Sequence, residues 1–264
     1  MGTADAASTH NQPEGADNPR DRPARVVAVT AARVGTAKRG LATGIARTLA
    51  RLDDTRVCII DADVAARDVG TRFGIDGPTT ADVDRALAAA ESDDPLAVLA
   101  RDGSNGCWVV PSGGASERFD RSLHSRLVER LRTHFDYLVI DAPVALAMYG
   151  SRLDPLIDQV DELLIGTTTQ PEDVPALVDY LNAITRGRVT SEVPPGLEVR
   201  VVPTGDNYDP GTSAPLERKV RSVAISGVLP RLWGRHATLL DAHAEAVPET
   251  LATLVQQLAD HRPD

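Results

Sequence analysis

Lysine is nearly missing from this 264-residue chain: of its 28 basic residues only Lys38 and Lys219 are lysines, and the other 26 are arginine. Bacterial genome composition produces such a bias, and against it a lysine at the start of a helix stands out. Cysteine is as scarce. Cys58 and Cys107 both sit in apolar runs that read as strands, which excludes a disulfide framework and suits buried thiols in a reducing cytoplasm. No apolar run approaches the ~18–20 residues that cross a bilayer. The opening stretch, MGTADAASTHNQPEGADNPRDRP, has no apolar core of a signal peptide, and Ala6 stands where myristoylation asks for Ser or Thr. We expect residues 1–23 to form a disordered polar tail and residues 24–264 to form one domain.

Other absences narrow the chemistry. There is no Lys/Arg-rich block, and the net charge is −10. That balance speaks against a nucleic-acid surface, which needs clustered cations to neutralise phosphates. The six histidines show no metal-ligand spacing, His236 and His243 being too far apart for a one-turn pair. No Gly-x-Ser-x-Gly nucleophile elbow occurs, and Ser112–Gly114 reads as a turn. Neither an internal repeat nor a linker between domains is visible.

What the chain does have is alternation. Apolar runs at Val26–Thr30, Val57–Asp61, Cys107–Pro111, Tyr137–Asp141, Glu162–Thr167, Val199–Pro203 and Ser226–Leu229 read as strands, separated by helical periodicities. Leu41, Ile45, Leu49 and Leu52 share one helix face, and Val174, Leu177, Val178, Leu181 and Ile184 share another. The second helix has a start signal at Thr169, with Pro171 in the first turn and Glu172 completing a capping box. Arg186–Gly196 and Gly205–Pro215 are polar and turn-rich, and read as surface loops. A last helix, about 247–259, places Val247, Leu251, Leu254, Val255 and Leu258 on one face. Five acids against one arginine in residues 236–264 favour core packing over a membrane surface for it. Continuous apolar strands between helices predict a three-layer α/β/α domain around a mostly parallel sheet of seven or eight strands.

The first strand is followed by Arg33-Val-Gly-Thr-Ala-Lys-Arg-Gly40 and then a helix. A phosphate-binding loop needs glycines that let backbone approach phosphate, a lysine, and a hydroxyl for Mg²⁺ at the helix start, where the helix dipole adds positive charge. A dinucleotide loop is excluded, because Gly35, Gly40 and Gly44 do not follow Gly-x-Gly-x-x-Gly.

The order of elements resembles the ParA/MinD family of P-loop ATPases, whose deviant Walker A loop reads approximately K-G-G-x-G-K-[ST]-T, and the chain is similar to that family over about residues 24–260. Gly35 and Lys38 match the loop. Arg33 stands for the signature lysine, Val34 and Ala37 for glycines, Arg39 for the Mg²⁺-binding hydroxyl and Gly40 for the second threonine. VCIIDAD resembles the second-strand motif, with Asp61 and Asp63, and FDYLVIDAP the Walker B strand, with Asp141. DELLIGTTTQPEDVPALVDYL and SGVLPRLWG (Ser226–Gly234) resemble later units, the second ending near the adenine.

The resemblance implies a SIMIBI-like P-loop fold. It implies a nucleotide site of Arg33, Gly35, Thr36, Ala37, Lys38, Arg39 and Gly40, metal ligands Asp61 and Asp141, and catalytic roles for Lys38 and Asp63. It also implies ATP or ADP as ligand and a homodimer across the loop face. Arg39 in the hydroxyl's place argues against Mg²⁺. We expect its guanidinium to turn towards Asp61 or Asp141 and stand in for the metal. Plainer roles fit the same residues: the three acids as strand ends, Lys38 as a first-turn lysine, and Trp108 and Trp233 as packing groups.

Three functions follow. One is a weak or inactive ATPase serving as a regulatory or positioning scaffold through protein partners, cytoplasmic or recruited by a partner to the membrane or a cell pole. The second is an active ATP-dependent switch that dimerises on ATP. The third is a small-molecule ligase of the same broad fold. The several departures in one loop favour the scaffold.

Overall fold

The computed structural model describes residues 22–33, 38–63, 69–89, 95–104, 106–113, 121–144, 155–167, 173–189, 194, 196–203 and 249–260. Seven strands form one sheet: β1 (Arg25–Ala31), β2 (Val57–Asp61), β3 (Ala100–Arg101), β4 (Trp108–Val110), β5 (Tyr137–Asp141), β6 (Glu162–Thr167) and β7 (Glu198–Pro203). Their order is β3-β4-β2-β5-β1-β6-β7, and every pairing is parallel except β3 with β4. The helices are α1 (Lys38–Leu49), α2 (Val69–Phe73), α3 (Thr80–Ala89), α4 (Arg121–Leu131), α5 (Asp173–Val189) and α6 (Glu249–Asp260).

Successive side chains of a strand point to opposite faces, and both faces here are covered. Val26 and Ala28 of β1 join Cys58, Ile60, Leu138, Ile140, Leu163 and Ile165 in a core closed by Leu127 and Leu131 of α4 and by Leu177, Tyr180 and Ile184 of α5. Val27 and Val29 point the other way, to Ile59, Val139 and Leu164. There Leu41, Ile45 and Leu49 of α1 and Leu254, Val255 and Leu258 of α6 close the second core. The apolar runs therefore lack polar alternation because neither face meets water.

Two expectations need correction. Arg186–Val189 continues α5 instead of opening a loop: Gly187 weakens a helix by only about 1 kcal/mol, and the first true breaker is Pro194. The sheet also gains an antiparallel edge, β3, too short to show a pattern in sequence. The candidate strand at Ser226–Leu229, the start signal at Thr169–Glu172, Trp233, His236 and His243 lie outside the described residues. Leu254, Val255 and Leu258 of α6 are buried, in keeping with a core helix. Both cysteines are buried free thiols, and among the described residues no helix is long and apolar enough to cross a membrane.

Candidate functional site

The order of the sheet changes direction at β1: β2 lies to one side beyond β5, and β6 and β7 lie to the other. Parallel α/β sheets bind ligands in the crevice beyond the C-terminal strand ends at such a switch point. The chain leaves β1 at Ala31 and enters α1 at Lys38. In the parallel register Val29 is level with Asp141, and Asp61 is level with Asp141 as well. The first strand's exit, two carboxylates and the positive end of α1 thus share one edge.

Lys38 is 3% exposed and turns into that edge. Its Nζ lies 2.8 Å from Asp63 Oδ2 and 2.7 Å from Asp141 Oδ1, and it also donates to the carbonyl of Ala142. Two of its three protons go to Asp63 and the Ala142 carbonyl, and Asp141 is held as an ion pair. Asp141 is fully buried and Asp63 nearly so; their burial is tolerable because the ammonium compensates them.

Asp61 stands beside this group. Its Oδ1 accepts the backbone N–H of Asp63 at 3.1 Å, and its Oδ2 accepts the Ser112 hydroxyl at 3.0 Å. Burial above all, and then the charge of Asp141, push its carboxyl up to about 7, against the pull of those hydrogen bonds. Two carboxylates on adjacent strands repel, and the cheaper state for one of them is protonated.

Arg33, half exposed, makes an ion pair of 3.2 Å with Asp173 at the first turn of α5. Thr30 Oγ1 donates to the carbonyl of Pro143 at 2.7 Å, tying the end of β1 to the segment after β5. Gly40 lies in α1 with open space where a Cβ would project. At Gly166 of β6 a Cβ would stand 3.7 Å from Lys38 Cα, so that strand runs close beneath the start of α1.

The structure therefore brings Lys38, Asp61, Asp63 and Asp141 together and holds Arg33 at the rim. Gly35, Thr36 and Ala37 lie outside the described residues, and so does the side chain of Arg39, whose expected approach to the acids is left as it stood. Among the described residues, the cation paired with Asp141 is Lys38. Sequence reading missed Ser112, whose Ser-Gly-Gly context reads as a turn, and Asp173, whose capping position hides its pairing with Arg33. The main-chain acceptor at Ala142 carries no side-chain signal.

A divalent metal does not fit this arrangement. Among the described residues no group of three acids, histidines or cysteines is disposed to hold one. Lys38 lies within ion-pair distance of both Asp63 and Asp141.

Strand, loop, helix-initial lysine and acids on neighbouring strand ends define a P-loop NTPase fold, and comparison with known proteins agrees. No family model matches the chain. An uncharacterized ATP-binding protein of Methanocaldococcus jannaschii is 26% identical over 161 residues, 60% of this chain and 57% of that protein. The chain thus spans little more than half the length of the curated relative it matches. The ParA family ATPase from Chlorobium tepidum TLS superposes with a TM-score of 0.64 at 17% identity, covering 75% of this chain and 81% of that one. Cobyrinic acid a,c-diamide synthase from Mycobacterium smegmatis, solved with an ATP analog and magnesium, gives a TM-score of 0.60 at 20% identity, covering 90% and 93%. At such identities the likeness is one of fold: this chain has the fold of the ParA/MinD ATPases.

Proposed function

We propose that this chain is a nucleotide-responsive scaffold built on the ParA/MinD fold, binding ATP or ADP at the crevice beyond β1, β2 and β5 and hydrolysing it weakly or not at all. The observation that carries the reading is Lys38, placed at the first residue of α1 yet spending its ammonium on Asp63 and Asp141. A lysine there has the charge and reach to bind phosphate oxygens. Hydrolysis by P-loop proteins rests on positioning together with a metal, and this donor set does not favour one. The residues that would hold the nucleotide are Lys38, Gly40 and the 33–39 loop. Bound nucleotide would supply the charge that draws Lys38 off the acids. Output through protein partners, a homodimer across the loop face, and cytoplasmic residence or recruitment to the membrane or a pole by a partner belong to the same proposal. So do the single domain over residues 24–264 and a catalytic part for Asp63.

A second reading, an active ATP-dependent dimerising switch, is favoured by one observation. Asp63 and Asp141 pair with the lysine, and Asp61 stands level with Asp141 on the neighbouring strand, which keeps the acids of a hydrolytic site together. Calorimetric titration with ATP and ADP, with and without Mg²⁺, separates the two, alongside phosphate release and the variants Lys38→Ala and Arg39→Thr. The scaffold predicts no Mg²⁺-stimulated phosphate release from the natural chain, with Mg²⁺-dependent ATP binding gained in Arg39→Thr. Tight Mg²⁺-dependent binding and turnover by the natural chain, lost in Lys38→Ala, would establish the switch instead.

A further inference from the structure

We propose that the Lys38 ammonium is the resident cation of this crevice and keeps divalent ions off its acids in the nucleotide-free chain. The inference concerns the same crevice but does not rest on nucleotide binding. The geometry is that of a filled cation site. Nζ lies 2.7 Å from Asp141 Oδ1 and 2.8 Å from Asp63 Oδ2. The ammonium donates to Asp63 and to the Ala142 carbonyl and pairs in charge with Asp141, and the side chain is 3% exposed. Water therefore has little access to screen it.

A divalent ion on Asp141 would need oxygens at about 2.0–2.6 Å. It would then sit almost against a buried ammonium of like charge, where low dielectric magnifies repulsion. The remaining acid offers no alternative. Both oxygens of Asp61 are engaged, one by the Asp63 amide and one by the Ser112 hydroxyl. A metal taking Asp61 would have to displace at least one of those hydrogen bonds and still face Lys38 across Asp141. The lysine and a metal are thus mutually exclusive on these carboxylates, and whatever draws the lysine away opens the site. That makes Lys38 a gate on metal entry as well as a candidate phosphate ligand.

The test uses the full chain without nucleotide and Mn²⁺ as the probe, read by the loss of its free paramagnetic resonance signal. The natural chain is expected to leave millimolar Mn²⁺ free. Lys38→Met, which keeps the length of the side chain without its charge, is expected to bind one Mn²⁺ at least about tenfold more tightly, since the ammonium no longer repels the ion beside Asp141. Adding Asp141→Asn to Lys38→Met should abolish that gain. Mn²⁺ should likewise raise the melting temperature of Lys38→Met and leave that of the natural chain unchanged.

Two results would overturn the proposal. One is a natural chain that binds Mn²⁺ as tightly as the variant, with binding removed by Asp141→Asn. The other is a folded Lys38→Met that gains no affinity. If Lys38→Met does not fold, Lys38→Gln keeps a donor for the Ala142 carbonyl and serves in its place, and the titration of the natural chain tests the proposal regardless.

Discussion

Replacing Lys38 by methionine should cost the fold heavily, although methionine is close in shape. At the observed 2.7 and 2.8 Å, each ion pair carries an attraction of about 6 kcal/mol at an effective dielectric of about 20. Most of that is consumed by taking three charges out of water. The net value of the lysine is therefore far smaller than the gross attraction. Deleting one partner removes the attraction and keeps the desolvation of the others, typically about 3–5 kcal/mol. Proton uptake by Asp63 or Asp141 caps the loss, so the lower half of that range is expected near neutral pH. Urea unfolding at pH 7.5 measures it, with an unchanged m-value showing that the native state is intact. A cycle with Asp63→Asn isolates the pair, and the double variant should lose less than the sum of the single losses, by about 1–3 kcal/mol. A Lys38→Met chain within about 0.5 kcal/mol of the natural one, the usual range of surface changes, would refute the buried triad.

Asp61 sets a pH dependence of unusual sign. Its folded carboxyl lies at about 7 against 3.8 in the unfolded chain, so the native state holds the proton more tightly. Its contribution is fully present below about pH 4 and is lost as pH rises towards and through 7. Asp61→Asn should match the natural chain at pH 4 and exceed it at pH 8 by an amount on the order of 4 kcal/mol at most, read from urea midpoints at the two pH values. Two glycines should behave oppositely. A Cβ on Gly70 would stand 2.9 Å from the Ile75 carbonyl oxygen and 3.1 Å from Pro111 Cβ, so Gly70→Ala should lose about 1–3 kcal/mol by overpacking. Gly40 has open space at the same position within α1, and Gly40→Ala should gain about 0.5–1 kcal/mol. Thermal melts of both variants check the pair.

The four strands around the site were legible to within a residue, because strands buried on both faces must be apolar throughout and leave a long signal. Lys38, Asp61 and Asp141 were legible for a related reason, since a parallel sheet brings all its strand ends to one edge. What escaped was who pairs with whom. Lys38 was read as a phosphate ligand, and its pairing with Asp63 and Asp141 was not foreseen; that pairing depends on how α1 is set over β5 and β6. Ser112 escaped because its hydrogen bond to Asp61 crosses from β4 to β2. Strand β3 has two residues and no period to read.

The opposite edge of the sheet shows what a closed charge cluster looks like. There Glu162, fully buried, accepts a hydrogen bond from Arg25 at 2.7 Å and forms an ion pair with Arg200 at 2.6 Å, and Glu198 takes both arginines at 3.3 and 3.1 Å. Two arginines face two glutamates, so the charge balances. Arg25 also donates to the Leu258 carbonyl and Arg200 to Gln257, which fastens α6 to the sheet. Burial there still raises the Glu162 carboxyl, and the two arginines pull it back. At the C-terminal edge, among the described residues, Lys38 pairs with Asp63 and Asp141, while burial and the charge of Asp141 raise the Asp61 carboxyl. Buried charge without full compensation is costly, and perturbed carboxyls gather where chemistry or binding repays the cost. The lysine held on Asp63 and Asp141 and the raised carboxyl of Asp61 mark the C-terminal edge as the end that a ligand would rearrange.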